Sequence, residues 1–289
     1  MKDQCPLCQS SDTSLLFRRG EYEMIRCKRC GLIYRHPRIE KEKYLKEVQK
    51  YYSEIDPSFR VAASRKRLYE RFLSKIGRTK RKQSRLLDIG CGIGYFLFLA
   101  RERGYDVYGS EFIPGLAQIG AQNYGLTIQC ADFDEVNFPE DYFDLITLWN
   151  VFDELSDPSA SVRKIKKILK PGALLFMRMP NATFHLFVYR IQQLLNKLSL
   201  GRLLPFQISI FHIFSFSKKA IEQELRRNDF SHIRVKNSWP TSEDPYALGK
   251  RVWILKTFAF LIAQFLFFLS WGKLTIGPSL EVFAENEKA

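Results

Sequence analysis

The chain has 289 residues, of which 46% are hydrophobic and 26% are charged. These proportions are typical of globular proteins, and they exclude a mostly disordered or collagen-like chain. Lysine and arginine together number 45 against 31 aspartate and glutamate residues, so the formal net charge is +14. A charge of this size predicts an anionic partner, which is a nucleic acid, a phosphorylated substrate or an acidic lipid.

Four cysteines near the N-terminus form two Cys-x-x-Cys pairs, Cys5 with Cys8 and Cys27 with Cys30. Each pair can direct both sulfurs to one metal ion, and four thiolates around one zinc make a closed, structural site. Two disulfides are the alternative. No apolar run follows Lys2, so we expect no secretion signal and a protein kept in a reducing compartment, which favours zinc.

Alternating patterns follow this module. Helical patterns cover residues 41–52 and 60–76, and a basic run extends from Arg65 to Arg85. Strand and helix patterns then alternate, and Pro171-Gly172 is expected to end the last of these helices. The alternation predicts an α/β fold, with an open, mostly parallel sheet and helices on both faces. The predicted strands are 85–89, 106–109, 126–130, 143–149 and 173–179, and the predicted helices are 94–103, 114–124 and 159–169.

A glycine-rich turn follows the first predicted strand, in the stretch from Leu86 to Phe96. Glycines at such a turn let the backbone approach a ligand and adopt angles that other residues avoid. The spacing is G-x-G-x-G, and Tyr95 stands where the dinucleotide fingerprint has its third glycine. An acidic residue, Asp88, lies near the end of the strand before the turn.

This stretch resembles the first motif of class I S-adenosylmethionine-dependent methyltransferases. Later stretches resemble further motifs in the family's order, and the match covers roughly residues 85–240 and resumes near 280. The resemblance implies a Rossmann-like, mostly parallel sheet of seven strands beside a small N-terminal zinc ribbon. The later stretches are 108–111, 130–133, 143–150 and 168–174. The implied division is a zinc ribbon at 1–38, a basic helical linker at 39–84 and a methyltransferase domain at 85–289, with apolar inserts at about 182–214 and 246–272.

The resemblance also assigns residues to the binding of S-adenosylmethionine. It implies that Glu111 holds the ribose hydroxyls, that Asp132 meets the adenine amino group and that Phe133 flanks the adenine ring. The alternative is that Glu111 and Asp132 are ordinary strand-end acids that cap helices. The full set of implied cofactor residues is Asp88, Gly90, Cys91, Gly92, Gly94, Glu111, Phe112, Asp132, Phe133, Trp149 and Asn150.

The chain departs from the family pattern after the fourth strand of the sheet. Relatives with an N-terminal zinc ribbon commonly read Glu-His-Leu there, whereas this chain reads Asp153-Glu154-Leu155. A base is needed only where the methyl acceptor must lose a proton, and the candidates are Asp153, Glu154 and His212. Glu154 is alternatively a solvated residue at the start of a helix. His212, which lies among aromatic residues, is alternatively a core residue.

Two apolar segments, 184–204 and 252–271, follow the fifth strand of the sheet. The first is expected to form a lid over the acceptor site, either buried or touching lipid. The second has the length of a membrane span, but residues 280–285 resemble the last strand of the fold, which returns to the sheet. We therefore predict that this segment lies in the membrane interface, anchored by Trp253 and Trp271, or packs on the protein.

We interpret the chain as an enzyme that methylates a small-molecule, glycan or lipid-linked acceptor, with oxygen favoured over carbon and nitrogen. It is expected in the cytoplasm, with peripheral association at the inner face of the membrane. A second reading is an RNA methyltransferase that uses the zinc ribbon and the basic run, although the motifs of nucleobase methylators are missing. A third is a non-catalytic cofactor-binding protein, and the oligomeric state is left open.

Overall fold

The computed structural model describes residues 4–40, 42–44, 46, 63–77, 84–199, 212–241 and 249–287, without the side chains of 63, 64 and 249–253. Most of the predicted helix at 41–52 and the end of the first apolar segment lie outside the described residues. The strands are β1 (Thr13–Arg19), β2 (Tyr22–Cys27), β3 (Ile33–His36), β4 (Arg85–Ile89), β5 (Asp106–Ser110), β6 (Ile128–Gln129), β7 (Phe143–Trp149), β8 (Leu169–Pro180), β9 (Phe214–Ser215), β10 (Phe230–Ser238) and β11 (Ser279–Asn286). The helices are α1 (Ala63–Ile76), α2 (Tyr95–Arg101), α3 (Pro114–Tyr124), α4 (Pro158–Ile168), α5 (Ala182–Lys197), α6 (Lys218–Arg227) and α7 (Gly249–Leu269).

Seven strands form the main sheet in the order β10-β11-β8-β7-β4-β5-β6. Strand β4 pairs in parallel with both β5 and β7, and β5 pairs in parallel with β6. This arrangement confirms the predicted α/β, Rossmann-like fold with a mostly parallel sheet. Strand β11 lies between β10 and β8, which confirms that the last strand returns into the sheet.

Apolar side chains from both the sheet and the helices build the core around β4 and β7. Leu86 and Leu145 are buried against Phe96 of α2 and Phe176 of β8. Helix α1 adds Phe72, whose ring centroid lies 4.2 Å from that of Phe176. These two strands, β4 and β7, consist largely of buried apolar residues, because a parallel sheet covered by helices on its faces has no solvent-exposed side.

The junction between α4 and β8 differs from the prediction. Helix α4 ends at Ile168, before Pro171-Gly172 as predicted, but β8 begins at Leu169 and not at residue 173, so the proline and glycine lie inside the strand. A proline disfavours the helical conformation of the residue that precedes it, so the chain becomes extended before the proline is reached. Gly172 then adopts a φ of +70° within the strand.

A second, four-stranded sheet contains the N-terminal hairpins in the order β1-β2-β3-β9. Its strand pairings are antiparallel, and Ile33 of β3 lies opposite Ser215 of β9. Helix α5 packs on this sheet through Ala182 and Leu186, which form a buried cluster with Met24 and Ile33. The N-terminal module therefore shares both its sheet and its core with residues that follow β8.

The chain divides into two compact units, each assembled from segments that are distant in sequence. The predicted boundaries at residues 38 and 84 stay predictions. The described ranges contain no helix with the length and hydropathy needed to span a membrane. The first unit, named here the cysteine unit, comprises Met1–Ile39, Arg178–Glu224 and Val235–Glu281, and the second, the glycine-turn unit, comprises Glu40–Met177, Leu225–Arg234 and Val282–Ala289.

Candidate functional site

Three glycines shape the turn between β4 and α2, and each has a positive φ, of 66° at Gly90, 57° at Gly92 and 71° at Gly94. A Cβ atom on Gly90 would lie 2.5 Å from a methyl group of Val151, and one on Gly94 would lie 2.6 Å from a methyl group of Leu126. A Cβ on Gly92 would meet nothing within 4 Å. Packing within the protein therefore requires two of these glycines, whereas Gly92 borders open space.

The carboxylate of Glu111, at the end of β5, holds this turn. The backbone N–H of Gly92 donates to Glu111 Oε2 at 2.8 Å, and that of Ile113 donates to Oε1 at 2.9 Å. The side chain is buried. Burial raises the pKa of Glu111 to about 7, although the N–H groups of Ile113 and Gly92 oppose the shift, and the charge of Glu154 adds to it.

Asp88 is a second buried acid beside the turn. The parallel register places it opposite Thr147 of β7, whose hydroxyl donates to Asp88 Oδ1 at 2.6 Å. Burial raises the pKa of Asp88 to about 8, the Thr147 hydroxyl opposes the shift, and the charge of Glu111 adds to it. Asp88 and Glu111 therefore lie within electrostatic reach of each other at the carboxyl ends of adjacent parallel strands.

Glu154 joins this group from the turn after β7. The half-buried Glu154 accepts a hydrogen bond from the hydroxyl of Tyr44 at 3.2 Å, and its charge acts on Glu111. The neighbouring Asp153 is only 2% exposed. Three carboxyl groups, those of Asp88, Glu111 and Glu154, thus share one region, and the negative potential there favours a cationic ligand.

Asp132 and Phe133 lie after β6, in the same unit. Asp132 Oδ1 accepts from the backbone N–H of Asp134 at 3.2 Å, so this acid stabilises its own turn. Phe133 is 3% exposed, and the ammonium of Lys164 lies 4.7 Å from the centroid of its ring. The backbone carbonyl of Phe133 also accepts a hydrogen bond from Lys164. Their predicted contacts with adenine stay predictions.

The remaining implied cofactor residues surround the turn and the end of β7. Trp149 packs in an aromatic cluster, 4.7 Å from Tyr69 and 4.6 Å from Phe176 between ring centroids. Its buried indole N–H has no hydrogen-bond partner in the part of the chain that the structure describes. Asn150 follows with a φ of +60°, which residues other than glycine rarely adopt. Burial raises the pKa of the Cys91 thiol well above its usual value, and Phe112 packs beside the buried Ile93 and Ile113.

The four N-terminal cysteines converge on one point in the cysteine unit. Their sulfur atoms all lie within 4.8 Å of one another, and all four side chains are buried. The Sγ atoms of Cys5 and Cys30 are 3.7 Å apart, and those of Cys8 and Cys27 are 3.5 Å apart. A tetrahedral zinc with bonds of about 2.3 Å requires sulfur separations of about 3.8 Å. The cluster therefore fits a structural zinc ion.

His212 belongs to the cysteine unit, directly before β9. Its side chain is half-buried, and the carbonyl of the next residue, Ile213, accepts from the backbone N–H of Arg35 at 3.0 Å. The structure thus gathers the predicted cofactor residues, Asp153 and Glu154 in one unit and places His212 in the other. A catalytic role for His212 stays a prediction.

Sequence patterns did not predict two residues that donate hydrogen bonds to the acidic group. Thr147 holds Asp88, and a polar residue inside the apolar run 143–149 is a signal that could have identified it. Tyr44 holds Glu154 across 110 residues of chain, and nothing in the local sequence pairs them. Contacts of this kind arise from tertiary packing and leave no mark in the spacing of a motif.

Comparison with known proteins shows which family the chain belongs to. A family model described as a methyltransferase domain matches residues 61–235. The ubiquinone biosynthesis O-methyltransferase of Coxiella burnetii is 26% identical over 115 residues, which are 38% of this chain and 49% of that protein. The malonyl-[acyl-carrier protein] O-methyltransferase of Serratia marcescens is 30% identical over 91 residues, which are 31% of this chain and 36% of that protein. The chain thus spans half the length, or less, of these curated relatives.

A solved structure extends the similarity to most of the chain. Phosphoethanolamine N-methyltransferase 2 of Haemonchus contortus, in complex with S-adenosyl-L-methionine, gives a TM-score of 0.54 at 14% identity. The alignment covers 89% of this chain and 62% of that one. At this identity the similarity shows a common fold, and it carries no information about the substrate.

Proposed function

The chain belongs to the methyltransferase-domain family, and from this premise we propose that it transfers a methyl group from S-adenosylmethionine to a hydroxyl oxygen of a small-molecule, glycan or lipid-linked acceptor. The observation that carries the proposal is the open space at Gly92 beside the buried carboxylate of Glu111. Support for oxygen as the acceptor atom comes from the two curated relatives, both of which are named O-methyltransferases.

The acidic group suits this cofactor. When bound, S-adenosylmethionine supplies a methyl group made electrophilic by a positively charged sulfur. Backbone N–H groups already use acceptor sites on both oxygens of Glu111, and a remaining lone pair can accept from a ribose hydroxyl. Glu154 adds negative charge in a region of low dielectric constant, where it attracts a cation strongly, and Asp88 adds to this charge above its pKa of about 8.

Glu154 is the proposed base of this reaction. A hydroxyl acceptor must lose its proton as the new carbon–oxygen bond forms, and a carboxylate within hydrogen-bond reach can take that proton. Glu154 is half-buried and therefore accessible, whereas Asp153 is 2% exposed. The hydrogen bond from Tyr44 fixes one oxygen of Glu154 and thereby orients its carboxylate. Tyr44 is thus a positioning residue.

The binding of the cofactor is tested by a pair of matched variants. Gly92 and Gly125 have nearly equal positive φ values, 57° and 58°, and a Cβ on either would meet nothing within 4 Å. Both valine substitutions therefore impose the same backbone strain, but only the one at Gly92 places a side chain beside Glu111. We expect Gly92→Val to weaken S-adenosylhomocysteine binding about a hundredfold, which is ~2.7 kcal/mol, in calorimetry. Gly125→Val should bind like the wild type, and unaltered binding by Gly92→Val contradicts the proposed site.

Turnover tests the reaction itself. Protein and isotopically labelled cofactor are incubated with phenols that carry or lack an alkyl chain, and the product is identified as a methyl ether by mass spectrometry. The exposed Glu140 serves as the control for Glu154, so Glu154→Gln should lower kcat and Glu140→Gln should not. Tight binding without turnover on any acceptor supports the non-catalytic reading. If RNA in a parallel reaction is methylated, the substrate class is nucleic acid instead.

A further inference from the structure

The exposed side chains of α7 are apolar in the part of the helix whose side chains the structure describes, residues 254–269. Along residues 254–269, every exposed side chain is isoleucine, leucine or phenylalanine, and the three polar residues of this range are half-buried. Phe258 and Phe265 are each 64% exposed, and Phe268 is 71% exposed. A surface helix of a globular protein has the opposite distribution, with its polar side chains toward water. The eight exposed residues are Ile254, Leu255, Phe258, Leu261, Ile262, Phe265, Phe268 and Leu269.

The opposite side of α7 is fixed to its own unit. Phe260 and Ala263 are buried, and the ring of Phe260 lies 4.6 Å from that of Trp239. Asn237 Nδ2 donates to the carbonyl of Ala263 at 3.2 Å, and Asn237 Oδ1 accepts from the backbone N–H of Gly277 at 2.9 Å. These contacts hold the middle of the helix on β10. Successive residues of an α-helix are rotated by about 100° around its axis, and this rotation places the exposed residues on the side opposite Phe260 and Ala263. The apolar face is therefore directed away from the unit.

The C-terminal end of α7 carries an aromatic and basic group. Trp271 is 93% exposed. The ammonium of Lys218 donates to the carbonyls of Gly272 at 3.2 Å and Lys273 at 3.4 Å, so two lysines lie beside this tryptophan. Tryptophan and lysine are the residues that prefer the boundary between lipid chains and headgroups, where the ring is buried and the ammonium reaches water.

We infer that α7 binds the surface of an anionic lipid bilayer, with its axis parallel to the membrane plane and its exposed apolar face among the acyl chains. Between Asp244 and Glu281 the chain has four basic residues and no acidic residue. A second copy of the chain would bring these basic residues against one another. An anionic leaflet offers apolar chains together with the opposite charge. This inference goes beyond methyl transfer and does not rest on it.

Vesicle binding tests the inference with the full-length protein. Sedimentation is measured with vesicles of phosphatidylcholine alone and with vesicles that also contain phosphatidylglycerol. We expect binding to the anionic vesicles, and a drop of about tenfold or more in partitioning for the Phe258→Gln/Phe265→Gln double variant. Leu15→Gln is the matched control, because Leu15 is a 50% exposed apolar residue of the same unit on β1.

Two further measurements keep the result interpretable. The double variant should keep its Tm and its affinity for S-adenosylhomocysteine, since both phenylalanines are exposed and lie outside the glycine-turn unit. The inference is overturned if the wild-type protein binds neither kind of vesicle, or if the double variant binds the anionic vesicles as well as the wild type does. The inference is also overturned if the wild-type protein is a dimer that binds no vesicles and the double variant is a monomer. A C-terminal tag protected from protease in sealed inverted vesicles would show a spanning helix instead.

Discussion

In the glycine-turn unit the carboxyl groups of Asp88, Glu111 and Asp153 are buried, whereas in the cysteine unit eight isoleucine, leucine and phenylalanine side chains of α7 face solvent. The first arrangement removes ionisable carboxyl groups from water, and the second exposes apolar surface to it, so both raise the free energy of the isolated protein. A buried acidic group is stabilised by a small cation, and an exposed apolar face by another apolar phase. The two units therefore differ in the kind of partner that compensates each of them.

The cysteine cluster offers the largest test of this difference, because a bound zinc ion would hold that unit together from inside. Purified, reduced protein should contain about one zinc per chain, and Cys27→Ser should lose it and loosen β1–β3 by several kcal/mol. Metal analysis and hydrogen exchange over residues 13–36 measure both effects. Cys130→Ser is the control, since Cys130 is exposed and outside the cluster. Reduced protein that contains no zinc contradicts the prediction.

A smaller effect is expected inside the glycine-turn unit from Thr147→Val, which removes the hydroxyl that donates to Asp88. Burial raises the pKa of Asp88 to about 8, so Asp88 is charged only above that pH. The cost in the free energy of unfolding should be about 1.5–3 kcal/mol at pH 9 and about 0.5–1.5 kcal/mol at pH 6. Urea unfolding at both pH values measures it. Thr127→Val, at an exposed position of the same unit, should change stability by less than about 0.5 kcal/mol. A pH-independent cost at position 147 would mean that the charge of Asp88 plays no part.

The smallest effect concerns pH and cofactor affinity. Burial raises the pKa of Glu111 to about 7, and only its charged form attracts a cation. Affinity for S-adenosylmethionine should therefore rise about tenfold between pH 6 and pH 8. Calorimetry in the two buffers measures this rise, and Glu111→Gln should remove it. An equally steep profile in Glu111→Gln would assign the titration to another group.

The raised pKa values of Glu111 and Asp88 affect the folding stability in the opposite direction. Cofactor affinity should rise with pH, whereas their contribution to folding stability should fall. From pH 4.5 to 8, the folded unit keeps protons on Glu111 and Asp88 that the unfolded chain has already lost. The stabilisation from these two groups is complete below the unfolded pKa values and is lost as pH rises through the folded ones. Bound cofactor should offset this loss, so the gain in Tm on adding S-adenosylmethionine should be larger at pH 8 than at pH 6.

The sequence predicted the parts of the site that depend on neighbours along the chain. The turn at 90–94 is recognisable because three glycines must take positive φ values within five residues. The cysteine pairs are recognisable because both sulfurs of a Cys-x-x-Cys pair reach one metal. The partners of Asp88 and Glu154 were not predictable, because Thr147 and Tyr44 approach them only after the strands and helices have packed.

By itself, the amino-acid sequence determined the alternation of strands and helices, the glycine turn and the four-cysteine module, since these follow from local backbone angles, side-chain periodicity and ligand spacing. Only the tertiary structure decided that β9 pairs with the N-terminal hairpins and that Glu111 is locked to the turn at Gly92. It also decided which side of α7 is exposed, because an almost wholly apolar helix carries no polar stripe to mark its outer face. Long-range packing makes those choices, since each requires contacts between residues far apart in the chain.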